Sequence, residues 1–156
     1  MTIAHASATN RTLVEPSFPA VIVRGLEDAR LALSEGRPVT LLSAPGAALY
    51  AGCGWWRALV RQARAEFPDV AVADVLDCAD GSGHALAALR IGQSWLVLAR
   101  AAPGWGEVAA VAAAQGGGVL DTAPQALDLA TRGAARRLHD WLQMGTTLGD
   151  RKPPLG

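Results

Sequence analysis

Two short stretches of this 156-residue chain carry most of the side chains able to do chemistry. In the first, 46–54 (GAALYAGCG), Cys53 stands between two glycines just before Trp55, Trp56 and Arg57. A thiol at a helix start is favoured as the nucleophilic thiolate, but such a nucleophile normally needs a histidine base beside it. His84 is the only plausible partner, one strand–helix unit later. In the second stretch, 76–90 (LDCADGSGHALAALR), Asp77, Cys78, Asp80, Ser82 and His84 crowd a strand-to-helix turn. Asp80 or Ser82 at that place has the ordinary role of capping a helix.

Several specific chemistries fail on spacing. Gly46 and Gly52 lie one residue too far apart for a phosphate-binding P-loop, and no Lys-Ser/Thr follows. Gly52 and Gly54 begin a GxGxxG pattern that Arg57 ends. The run Gly81-Ser82-Gly83 is not the GxSxG of a hydrolase elbow. Cys53, Cys78, His5, His84 and His139 match no metal-ligand spacing, so the sequence names no metal, cofactor or catalytic set. Its one lysine, Lys152, lies in the C-terminal tail, which argues against Schiff-base and P-loop chemistry. Net charge is zero, so no overall field favours nucleic acid or an acidic membrane. No apolar run is long enough for a signal peptide or a bilayer span, and the expected location is cytoplasmic.

The elements that would position these residues follow from the apolar pattern. With 51% hydrophobic and 18% charged residues, the chain can bury a single-domain core. Strands are expected at 20–24 (AVIVR), 38–43 (PVTLLS), 70–77 (VAVADVLD), 95–99 (WLVLA) and 118–120. Helices are expected at 26–34, 54–66, 83–90, 106–114 and from about Gln125 to Met144. A helix-closing glycine, a strand and a helix-opening proline recur three times, at Gly36 and Pro45, Gly92 and Pro103, and Gly116 and Pro124. Residues 1–19 read as a flexible arm, 20–144 as one α/β domain, and 145–156 as a disordered tail. Alternating apolar strands and helices imply an open, mainly parallel five-stranded sheet with helices on both faces, flavodoxin-like in outline. Half of a (βα)8 barrel is the alternative, since the chain is too short for a whole one.

In an open parallel sheet, ligands bind beyond the carboxyl ends of the strands, beside helix N-termini. The residues leaving those ends are Arg24, Ser43, Asp77 with Cys78, Arg100, and Asp121. With the loop Gly46, Gly52, Cys53 and Gly54, and with Asp80 and Ser82, they form the candidate site. The expected ligand is a small anion, held by helix-start N–H groups and by Arg24 or Arg100. One segment also points elsewhere. Residues 80–89 (DGSGHALAAL) resemble the Asp-Ser-Ser-Gly turn and helix of STAS-type anti-sigma-factor antagonists. The resemblance covers about ten residues, and the spacing from Asp77 to Asp80 is shorter than the family's. It implies Ser82 as a regulatory phosphoacceptor and the chain as a regulatory or assembly module. A cysteine-dependent enzyme is the third reading. Trp55 and Trp56, about 100° apart on a helix, cannot both face the core. An outward tryptophan would suit an interface, including one in a homo-oligomer.

Overall fold

The computed structural model describes residues 16–149, apart from the side chains of 146–149. Most of the expected arm (1–15) and the end of the expected tail (150–156) lie outside the described residues. Strands and helices alternate: β1 (Ala20–Val23), α1 (Leu26–Ser34), β2 (Val39–Ser43), α2 (Ala47–Tyr50), α3 (Cys53–Glu66), β3 (Val72–Asp77), α4 (Ser82–Arg90), β4 (Trp95–Val97), α5 (Trp105–Ala114), β5 (Gly118–Leu120), β6 (Ala126–Asp128) and α6 (Ala134–Gly149). All strands are parallel and form one open sheet, ordered β5-β4-β3-β2-β1-β6. The α/β class and the single open sheet of parallel strands are those expected.

Two features differ. The sheet has six strands, because 126–128 (ALD), expected within the last helix, pairs with β1. Gly133 then turns the chain with φ +79°, and α6 begins at Ala134 and continues to Gly149. The second difference is in the helices, which were expected on both faces. Every buried helical residue, from Ala29 in α1 to Leu142 in α6, belongs to one core cluster against Val21, Leu41, Leu76 and Leu96. On the opposite face, a smaller cluster of Ile22, Leu42, Val75, Trp95, Val97, Leu120 and Ala126 contains strand residues alone. Strand order is the reason. β1 to β5 are laid down side by side in one direction, and right-handed crossovers that always step the same way put each helix on the same face. This sequential winding is shared with the half-barrel alternative.

The connection from β5 to β6 adds a constraint on shape. In a flat sheet these outermost strands would stand about 24 Å apart at the usual ~4.8 Å spacing. The chain from Leu120 to Ala126 reaches only about 21 Å fully stretched. The sheet therefore curls, although no ladder joins β5 to β6. The curl explains how side chains from all six strands meet in the smaller cluster. Where β5 begins beside β4, Gly118 N donates to the Ser94 carbonyl oxygen, and a Cβ on Gly117 would lie 1.8 Å from that oxygen.

Between β3 and the helix layer lies a buried charge. Asp74 is 8% exposed. Its Oδ2 accepts from Trp56 Nε1 at 3.2 Å and Gln93 Nε2 at 2.9 Å, and its Oδ1 accepts from Arg64 at 2.9 Å. These bonds fix α3 and the α4–β4 turn onto β3. Removing the carboxylate leaves the buried Trp56 indole N–H without its acceptor, a loss of about 1–3 kcal/mol. Asp74→Ala is expected to lower unfolding stability by that amount in a denaturant titration, with the slope unchanged.

Candidate functional site

Parallel winding sends the C-terminal ends of all strands, and the starts of α1 to α5, to one edge. Each of these five helices begins after a glycine (Gly25, Gly46, Gly52, Gly81 and Gly104), and no side chain caps any of them. The leading N–H groups of a helix have no intrahelical partner, so this edge concentrates backbone donors and positive dipole ends. Acidic residues occupy the first turn in α1 (Glu27, Asp28) and α5 (Glu107), but not in α2, α3 or α4.

Among these five helices α3 is the longest, at 14 residues. Gly52 holds φ +87°, which an L side chain rarely adopts, and a Cβ at Gly52 or Gly54 would meet no atom within 4 Å. Cys53 between them is half-buried. The short α2, absent from the sequence reading, stands ahead of α3 and leaves Leu49 41% and Tyr50 71% exposed. Four residues are too few to show a helical period. As the adjacent tryptophans require, Trp56 is fully buried while Trp55 is exposed.

The polar residues at the strand ends are spent largely on holding loops. Asp77 is buried, and its Oδ1 accepts from Gly46 N at 3.1 Å and Ala79 N at 2.9 Å. One carboxylate thus fastens both the β2–α2 and β3–α4 loops. Ser43 is also buried; its Oγ accepts from Asp77 N at 2.9 Å and donates to Ala44 O. Ser82 opens α4, and its hydroxyl donates to Pro103 O. Asp80 lies in the intervening turn.

The arginines expected to supply charge have carboxylate partners. Arg24 forms a two-pronged pair with Asp128, one contact at 3.0 Å, joining the ends of β1 and β6. Arg100 lies 3.6 Å from Asp121 and stacks over Trp105, 3.9 Å from the ring centre. The strand-end residues therefore sit in local pairs across neighbouring strands. Asp128 escaped the sequence reading because its segment reads as helix; the β-branched and glycine signals of a strand are missing there.

The cysteines are unequal. Cys78 is wholly buried, and burial, with the nearby Asp77 charge, pushes its thiol up to about 12. It is therefore protonated at neutral pH. No hydrogen bond joins His84 to Cys53 or Cys78 among the described residues. No group of three His, Cys, Asp or Glu side chains suited to a metal occurs among them either. No helix of the described residues is long and apolar enough to cross a membrane. No protein-family model matches the chain, and no curated protein matches it.

The Arg24–Asp128 pair makes stability depend on pH in a definite direction. The Arg24 hydrogen bond, the largest cause, holds the Asp128 carboxyl below its ordinary value. A lowered folded-state pKa contributes stability above the unfolded value, and that contribution disappears as pH falls through the folded value. Asp128→Asn is expected to be less stable than the parent at neutral pH and equal to it at strongly acidic pH. Denaturant midpoints measured across the acidic range check this.

Proposed function

We propose that the chain is a cytoplasmic domain that binds a small anionic ligand at the carboxyl edge of its sheet, with the start of α3 as the receiving element. The observation that carries this reading is the glycine-led, uncapped start of a 14-residue helix, with open space over both Gly52 and Gly54. Backbone N–H groups and the helix dipole there favour a carboxylate or phosphate oxygen. The exposed rings of Tyr50 and Trp55 flank the same loop and offer apolar contact to the rest of a ligand. Arg24 and Arg100, each beside a carboxylate, play the lesser part, so backbone donors rather than fixed side-chain charge supply recognition.

Amide chemical shifts during titration with inorganic phosphate test this directly. Shifts concentrated at Gly52, Cys53 and Gly54 are expected. They should vanish in Gly54→Asp, which places a fixed carboxylate where space is open. Shifts confined to the arginine-bearing surface, or absent from α3 at millimolar phosphate, would overturn the proposal.

The exposure of Leu49, Tyr50 and Trp55 on one loop supports a second reading, a regulatory or assembly module acting through that apolar surface. Modification of Ser82 would act by breaking its bond to Pro103 and freeing the start of α4. Native mass spectrometry separates the two. A monomer or dimer carrying a small adduct, lost on denaturation, supports ligand binding. A homo-oligomer without an adduct, dispersed by Tyr50→Ser, supports the module.

A further inference from the structure

The two flanks of α3 carry opposite charge. At about 100° per residue, Arg57, Arg61 and Arg64 fall within one stripe about 60° wide, and Glu66 stands opposite Arg57. Glu66 faces α1, where it holds Arg30 at 2.6 Å. The arginine stripe faces the other way, toward α4. Arg64 donates to Asp74 on β3 at 2.9 Å, and Arg57 lies 4.0 Å from the same carboxylate. Gln93, just beyond α4, donates to it as well. α4 packs beside α3, carries no acid and has Arg90 in its last turn.

Charges on the arginine side do not balance. Asp74 is the only carboxylate that any of the three arginines meets among the described residues, and Trp56, Gln93 and Arg64 already donate to it. Arg57, at the limit of ion-pair distance, keeps a buried Nε with no acceptor. Arg61 is exposed and has no hydrogen-bonding or ionic partner among the described residues. Three arginines over one aspartate leave two positive charges uncompensated, and like charges three and four residues apart destabilise a helix. The chain as a whole is neutral, so this surplus is local to one flank.

We propose that this flank of α3 is a docking surface for an acidic helix of a partner protein. Arginines at i, i+4 and i+7 rise along the axis by about 6 and then 4.5 Å. A helix laid alongside repeats those rises, so carboxylates at the same spacing meet the guanidiniums one to one. The planar guanidinium fork matches a carboxylate as paired donors to paired acceptors. A nucleic acid is the poorer match. Its binding draws on a long run of phosphate contacts and on a field over the whole surface. This stripe spans only about 10.5 Å, on a neutral chain. Docking of this kind weakens as salt rises. It does not depend on what ligand the start of α3 receives.

The experiment is titration of the full-length chain with an alanine-based helical peptide bearing glutamates at i, i+4 and i+7, read by amide chemical shifts at low and high salt. The expected result is saturable shifts on α3 and α4, centred on residues 57–64, that weaken as salt rises. Arg61→Glu, at an exposed side chain with no partner to lose, is expected to weaken binding about tenfold or more. Arg132→Glu makes the same change in net charge on the exposed turn before α6 and is expected to leave binding unchanged. No saturable shift, shifts lying off α3 and α4, insensitivity to salt, or equal weakening by both reversals would overturn the inference. So would a single-stranded oligonucleotide of equal charge that binds more tightly than the peptide.

Discussion

The structure depends on one topological constraint: five consecutive parallel strands laid down side by side in the same direction. Given right-handed crossovers, that order admits helices on one face. It also sends every helix start to the same edge of the sheet. Among the described residues, one face becomes a core shared by all six helices, and the other is left to strand side chains that meet where the sheet curls. The short β5–β6 link enforces the curl, and the ladder between β6 and β1 closes the chain's path. Fold class alone would allow a two-sided helix layer; winding direction decides against it.

The same constraint settles what happens to the charged residues at the strand ends. Parallel loops emerging at one edge need fastening, and a buried carboxylate facing backbone N–H groups fastens them at small entropic cost. Asp77 does this for two loops, and Ser43 orients Asp77 in turn. Arg24 and Asp128 fasten the first strand to the last. Two Arg and two Asp at one edge therefore need not imply an open charged crevice. Opposite charges at the ends of neighbouring parallel strands find each other first.

Much of this fold was legible in the sequence. Apolar runs and glycine–proline punctuation located five strands and four helices to within a few residues, because each unit is periodic and sharply ended, while the last helix begins at Ala134, nine residues later than expected. The split of Trp55 from Trp56 followed from helix geometry alone. The misses have physical causes. β6 is a three-residue strand whose segment, ALD, has ordinary helix formers, and only pairing with β1 makes it a strand. Asp74 reads as one acid in an apolar run; its partners Trp56, Arg64 and Gln93 come from other elements, which no local pattern brings together. Among the candidate site residues, Gly46 and Gly52 stand at helix starts, which is a local property that the pattern shows. The pairing of Arg24 with Asp128 and of Arg100 with Asp121 is set by strand neighbours and has no local signal.

That division bears on how an edge of this kind acquires a ligand. Side chains at the strand ends have two demands on them, holding loops and meeting ligand, and here Ser43, Asp77 and Arg24 are bonded within the protein. Backbone N–H groups at an uncapped helix start carry no such duty. A capping Ser, Thr or Asp at position 52 would satisfy them, but Gly52 holds φ +87°, where those residues are strained. The conformation that opens the start of α3 thus also excludes the side chains that would close it. The loop is kept open by backbone geometry, while its flanks are held by Asp77 and by the burial of Trp56 beneath.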